Sequence, residues 1–227
     1  MNKLRVALLG GSFNPSTIAH MRMGSQVLEG RKADKVIYIP CGARTDKPEL
    51  ISGDQRIDLL RVDIRRHFGI DPPVIDSDEP NALDRREPVL IDEFEIKKFK
   101  RIMPTSWLIS KYRRTFPDVH FTTVIGSDLL DSMRTWEDYN EVLQFEDYIV
   151  FERDERAVDL GKMPFNSELI VDKKMSMISS TEVRKILKLG WKSRDLPECK
   201  LIHQKLLKFV SREVLDHVLE RRLYRPK

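Results

Sequence analysis

The sequence predicts an α/β fold: a doubly wound, mostly parallel sheet with helices on both faces. Three observations predict it. Short apolar runs, several stopping at glycine, alternate with amphipathic helical patterns along the chain. Residues 4–40 read strand, glycine loop, helix, strand, which is a βαβ unit with a right-handed crossover. No internal repeat, heptad array or low-complexity tract offers a competing architecture.

Each element has its own signal. Leu4 to Leu9 is a mostly apolar run ending at Gly10-Gly11, the pattern of a strand buried on both faces. Ser12 to Pro15 is turn chemistry, and from Thr17 the period becomes helical, with Gly30 as its stop. Lys35 to Pro40 is a second strand. Gly53 to Phe68 is an amphipathic helix, with Ile57, Leu60 and Ile64 among its apolar positions. Pro73 to Asp76 offers a third strand. Ser77 to Arg101 is highly charged and lacks a clean period, so it reads as a surface insertion or a flexible loop, with Glu93 and Glu95 beside basic residues on a solvated face. Thr105 to Phe116 reads as a helix, His120 to Ile125 as a strand ending at Gly126, Trp136 to Phe145 as a helix, and Asp147 to Phe151 and Glu168 to Val171 as strands. Ser180 to Leu189 is a helix with Gly190 after it, and Leu201 to Val210 and Arg212 to Leu223 close the chain as helices.

The bulk numbers exclude several classes. At 227 residues the chain reads as one domain, residues 1–227, with insertions expected near 77–101 and 191–207. Hydrophobic residues make up 41% and charged residues 33%, enough for a core under a polar surface. The net charge of +4 is a small difference between 40 basic and 36 acidic side chains, which argues against a dedicated nucleic-acid binder. Cys41 and Cys199 form no disulfide framework and fit a reducing compartment. No signal peptide and no run of about 18 apolar residues is present, so no membrane partner is expected and an intracellular, soluble protein, cytoplasmic or nuclear, is.

Ligands of open α/β sheets bind outside the carboxyl ends of the strands. Here the first strand leads into Gly10-Gly11-Ser12-Phe13-Asn14-Pro15-Ser16-Thr17-Ile18-Ala19-His20. Two glycines let the backbone approach a phosphate, and the next helix N-terminus offers N–H groups and a positive dipole end. The run is neither GxGxxG nor GxxxxGK[ST]. Far away, Ser179-Ser180-Thr181 stands before a second helical run that carries Arg184, an N-cap signal with hydroxyls and one guanidinium. Taken alone, His20 reads equally as a residue packed at a strand–helix joint, and the second segment as an ordinary capped helix.

Together these segments resemble the nicotinamide or nicotinate mononucleotide adenylyltransferase family of the nucleotidylyltransferase superfamily. GGSFNPSTIAH is similar to its GxFxPxTxxH signature, with Ala19 where the bacterial form has glycine, and Ile178 to Arg184 is similar to its ISSTxxR motif. Gly126-Ser127-Asp128, followed by Trp136, resembles the GxD…W pattern of the pyridine-mononucleotide members, and Lys47 and Arg56 fall at a family-like spacing. Phe209 to Tyr224 is similar to the family's closing helix. Thr105-Ser106-Trp107 matches only loosely, and Lys174-Met175-Ser176 is similar to a synthetase loop that this length cannot otherwise accommodate.

The resemblance implies a Rossmann-like fold. It implies catalysis by His20 and Arg184, and ATP binding by Gly11, Ser12, Phe13, Thr17, His20, Gly126, Asp128, Ser179, Ser180, Thr181 and Arg184. Mononucleotide binding falls to Ser12, Phe13, Lys47 and Trp136, whose ring would face the pyridine. The implied reaction joins ATP to the mononucleotide, with Mg²⁺ on the ATP phosphates and no protein metal site. The alternatives are another superfamily enzyme, such as a phosphopantetheine adenylyltransferase, or a nonenzymatic RNA-binding protein. Nicotinamide versus nicotinate preference and a homo-oligomer stay open.

Overall fold

The computed structural model describes residues 3–140, 147–153, 158–172, 179–192 and 198–226. In chain order the elements are β1 (Leu4–Gly11), α1 (Ile18–Glu29), β2 (Lys35–Pro40), α2 (Gly53–Phe68), β3 (Val74–Ile75), β4 (Val89–Asp92), a π-helical turn (Glu95–Phe99) and α3 (Thr105–Thr115). Then follow β5 (Val119–Gly126), α4 (Leu130–Met133), β6 (Asp147–Phe151), β7 (Ser167–Ile170), α5 (Ser180–Lys192), α6 (Glu198–Leu206) and α7 (Arg212–Glu220).

The strands form one sheet in the order β3-β4-β2-β1-β5-β6-β7. Every pairing is parallel. Parallel strands need both faces covered, and β1 shows how this chain meets that need. Ala7 and Leu9 point into one apolar layer with Met21 and Val27 of α1 and Leu60 and Ile64 of α2. Val6 and Leu8 point into the other, with Leu108 and Tyr112 of α3. A third cluster joins Leu59 of α2 to Val183 and Leu187 of α5 and Val214 and Val218 of α7.

The helix ends follow local chemistry. Ser52 caps α2 by accepting from Gln55 N–H, with Gln55 completing a capping box, and Gly69 ends the helix at φ 69 in the left-handed region. Thr17 caps α1, and His20 occupies the third helical position, where a capping-box glutamate would sit.

Three sequence expectations are corrected. Residues 77–101 are neither a surface excursion nor a flexible loop over their whole length: β4 lies inside them, fully buried, paired with β2 on one side and β3 on the other. Its four residues are too few for a period to show among charged neighbours. Asp92 at its end is buried because Ser77 Oγ, Tyr112 Oη and the backbone N–H of Ser77 and Phe94 all donate to it. Gly190 does not end its helix. α5 runs on to Lys192, and a Cβ at Gly190 would come within 3.1 Å of Ile202 Cγ2 on α6, so the glycine serves close helix packing. Trp136 lies in a turn after the short α4, where its N–H donates to Met133 O at 3.0 Å; residues 141–145 of that expected helix lie outside the described residues. Within 191–207, α6 ends on the fully buried Leu206, which joins the third cluster.

Candidate nucleotide-transfer site

The order in which strands are added switches sides at β1, with β2 on one side and β5 on the other, while all strands stay parallel. That is the switch point at which open α/β sheets leave a crevice. Leu9 pairs with Val124, so Gly11 and Gly126, each two residues further on, reach the same rim. A Cβ at Gly10 would meet nothing within 4 Å, which marks open space above the strand end. Gly126 has no such room: a Cβ there would collide with the Asp128 carboxylate and the Arg153 side chain.

His20 stands beside this opening, half-buried. The Thr17 N–H donates to its Nδ1 at 3.0 Å, and Thr17 Oγ1 lies 2.8 Å from the same nitrogen. A backbone N–H can only donate, so Nδ1 accepts and the proton of the neutral ring sits on Nε2. Burial pushes the pKa down to about 3, and the nearby Arg153 charge adds to the shift. His20 is therefore a neutral Nε2–H donor near pH 7. Phe13 packs edge-on against it, with ring centroids 5.0 Å apart.

The second motif docks onto this loop. Ser180 Oγ donates to Pro15 O at 2.8 Å, and Arg184 Nη1 donates to Asn14 O at 2.9 Å. Arg184 also lies against Glu49, with Nε 3.7 Å from Oε2. Ser179 caps α5 through Glu182 N–H, while Thr181 is exposed at the same helix end. Ile178 lies outside the described residues. From the other side Lys47 Nζ donates to Ser12 Oγ at 2.7 Å; its pKa is lowered, by burial first and then by the Arg44 charge.

The structure thus gathers Gly11, Ser12, Phe13, Thr17, His20, Lys47, Ser179, Ser180, Thr181 and Arg184 around one loop. Gly126 and Asp128 join through Arg153, whose Nη1 lies 3.9 Å from Asp128. Trp136 is placed differently: it is half-buried against the apolar cluster of Ile125, Leu130 and Met133. Two side chains are turned inward. The Phe13 ring is buried between His20 and Tyr38, which leaves its backbone, at φ 46, to meet a ligand. Thr17 is buried and acts on His20.

Three further residues matter. Arg56, only 2% exposed, donates to Ser12 O at 2.9 Å and Cys41 O at 2.6 Å, tying the loop after β1 to the end of β2. Asn14 is the node of the loop: its Nδ2 donates to Glu49 O at 3.2 Å, and its Oδ1 accepts from Tyr224 Oη at 3.0 Å. Arg153 was unmarked in the sequence except by its place just past a strand end. Of the three, only Arg56 carried a sequence signal, its spacing from Lys47.

The site is an anion cradle: N–H donors and cations converge where two strands end on glycine. Among curated relatives, a probable nicotinate-nucleotide adenylyltransferase from Fusobacterium nucleatum is 26% identical over 94% of this chain and all of its own length. One from Borrelia garinii is 29% identical over 92% of each chain. Among solved structures, Plasmodium falciparum nicotinic acid mononucleotide adenylyltransferase complexed with APC superposes with a TM-score of 0.75 at 20% identity, covering 97% of each chain. The same enzyme complexed with NaAD gives 0.74 at 22% over the same coverage. At these identities the structural likeness establishes the fold, which is Rossmann-like. The family assignment comes from the match over residues 8–186: the chain belongs to the cytidylyltransferase-like family.

Proposed function

We propose that this chain is an adenylyltransferase that condenses ATP with nicotinate or nicotinamide mononucleotide, giving a dinucleotide and pyrophosphate. The observation that carries it is the docking of the Ser180–Arg184 segment on the Asn14–Pro15 carbonyls, which makes one phosphate cradle from two helix N-termini. The relatives' names supply the substrate class.

A phosphate oxygen of the mononucleotide attacks the α-phosphorus of ATP. The new O–P bond forms as the bridging O–P bond to pyrophosphate breaks, and pyrophosphate leaves with the electron pair. Such transfers depend on positioning and charge neutralisation more than on a protein nucleophile. His20 Nε2–H donates to the α-phosphate as charge builds, and Arg184 neutralises the departing phosphates. Lys47 sits on the opposite side of Ser12 and holds the mononucleotide phosphate. Asp128, half-exposed at the rim, accepts from ribose hydroxyls, and Trp136 faces the pyridine. Mg²⁺ enters as part of the MgATP substrate. The donor set on this cradle is cationic or N–H, suited to phosphate oxygens, and Mg²⁺ keeps waters and needs few protein ligands. Residues 1–227 act as a single nucleotidylyltransferase domain in this reading.

The test is product formation. Purified protein with MgATP and each mononucleotide should release pyrophosphate and form a dinucleotide, with the nicotinate form turned over faster. Adenylylation of phosphopantetheine with no dinucleotide from either substrate would refute the reading.

A further inference from the structure

We propose that Glu95 is a positioning residue for the mononucleotide half of the cleft, where one carboxylate oxygen clamps the loop bearing Lys47 to the segment that leads into α3. Glu95 opens the π-helical turn and is only 4% exposed. Its Oε2 accepts two backbone N–H bonds, from Gly42 at 3.2 Å and from Met103 at 3.0 Å.

The clamp has partners on both sides. Ile102 N–H donates to Ala43 O at 3.0 Å, so the two backbones run against each other. Gly42 is pressed so close that a Cβ would collide with the Arg101 backbone. One residue earlier, Cys41 N–H donates to Gly11 O at 2.9 Å and Cys41 O accepts from Arg56. The start of the loop is therefore held by β1, by Arg56 and by Glu95, and a few residues on Lys47 reaches Ser12. No contact of Glu95 reaches His20 or Arg184 directly. Its influence falls on Lys47 and on the entry to α3, away from the triphosphate cradle.

The inference rests on the proposed reaction, and two variants separate the two ideas. Glu95→Gln keeps an oxygen where Oε2 lies; Glu95→Ala removes it. Small displacements of positioning groups are costly, so Glu95→Ala should raise the mononucleotide KM about tenfold, with the ATP KM and kcat within about twofold and Glu95→Gln within about threefold of wild type. If Glu95→Ala fails to fold, Glu95→Asp, which draws the carboxylate back by one methylene, gives the same readout. Equal rises in both KM values, or a Gln variant as impaired as Ala, would overturn the clamp. Amide exchange reads the clamp without turnover. Residues 42–47 and 103 should lose protection in Glu95→Ala, or in Glu95→Asp, while residues 11–17 keep it; loss at both, or at neither, overturns it. A wild-type protein that makes no dinucleotide refutes the reaction, and the exchange pattern then still decides the clamp.

Discussion

Arg184 donates a hydrogen bond to the backbone carbonyl of Asn14, 2.9 Å away in space and 170 residues away in sequence. The bond joins the two helix N-termini of the cradle. It also uses one arm of the guanidinium fork on the protein, with a second arm on Thr181 Oγ1 at 3.3 Å. Arg184 is therefore pre-oriented before any ligand arrives.

That geometry makes a first prediction. Arg184→Lys keeps the charge and loses the fork, so kcat/KM for ATP should fall by about 10- to 100-fold, and Arg184→Ala should fall further. Steady-state kinetics with ATP as the varied substrate checks this. A lysine variant at wild-type efficiency would show that charge alone suffices.

His20→Ala should lower kcat by about 10²–10³ with little change in either KM, as for one lost transition-state donor. Because its pKa in the free protein is pushed down to about 3, His20 stays neutral and contributes no inflection to the kcat/KM profile between about pH 5 and 8. A group titrating near 6.5 that vanishes in the variant would contradict this assignment.

Trp136→Ala should raise the mononucleotide KM and leave the ATP KM nearly unchanged, since stacking on a pyridinium contributes about 0.5–2 kcal/mol to one ligand only. Trp136→Phe should recover part of the loss. The residue also packs on Ile125 and Met133. Equal damage to both KM values with a lower melting temperature would identify packing as its whole role.

Tyr224→Phe removes the donor to Asn14 Oδ1, which still has the Ile51 N–H at 3.4 Å. Thermal unfolding should register a loss of about 1 kcal/mol, the usual net worth of one neutral hydrogen bond. An unchanged melting temperature would mean that the C-terminal segment is not anchored through Asn14.

Glu95 makes a prediction about pH. Burial raises its pKa from 4.5 to about 7, against the two N–H bonds that oppose the shift. Between those values the unfolded chain ionises while the folded chain holds its proton, so unfolding releases a proton. Stability from this group is therefore fully present below 4.5 and lost as pH rises towards 7. Glu95→Gln lacks that loss. Its melting temperature should gain on wild type by a few degrees as pH rises from about 5 to 8, and a constant difference would mean that Glu95 is already ionised when folded.

The sequence by itself determined most of the secondary elements, because strands and helices advertise themselves through local period, caps and breakers. Leu4 to Leu9, the Gly53–Phe68 helix and the glycine ends of β1 and β5 were legible this way. So were His20 and Arg184 as members of two recognisable segments. The tertiary structure decided what those segments do to each other. Strand β4 is too short and too flanked by charge to announce itself, and becomes interior only because β2 and β3 pair with it. Glu95 reads as a surface charge and Arg56 carries only a family-like spacing, yet both are buried, since backbone groups remote in sequence meet their hydrogen-bonding needs. Phe13 sits in a ligand loop but turns its ring into the core against Tyr38. Local sequence encodes what a residue prefers; burial and partnership depend on neighbours brought close by the parallel crossovers, and those contacts arise only when the sheet is assembled.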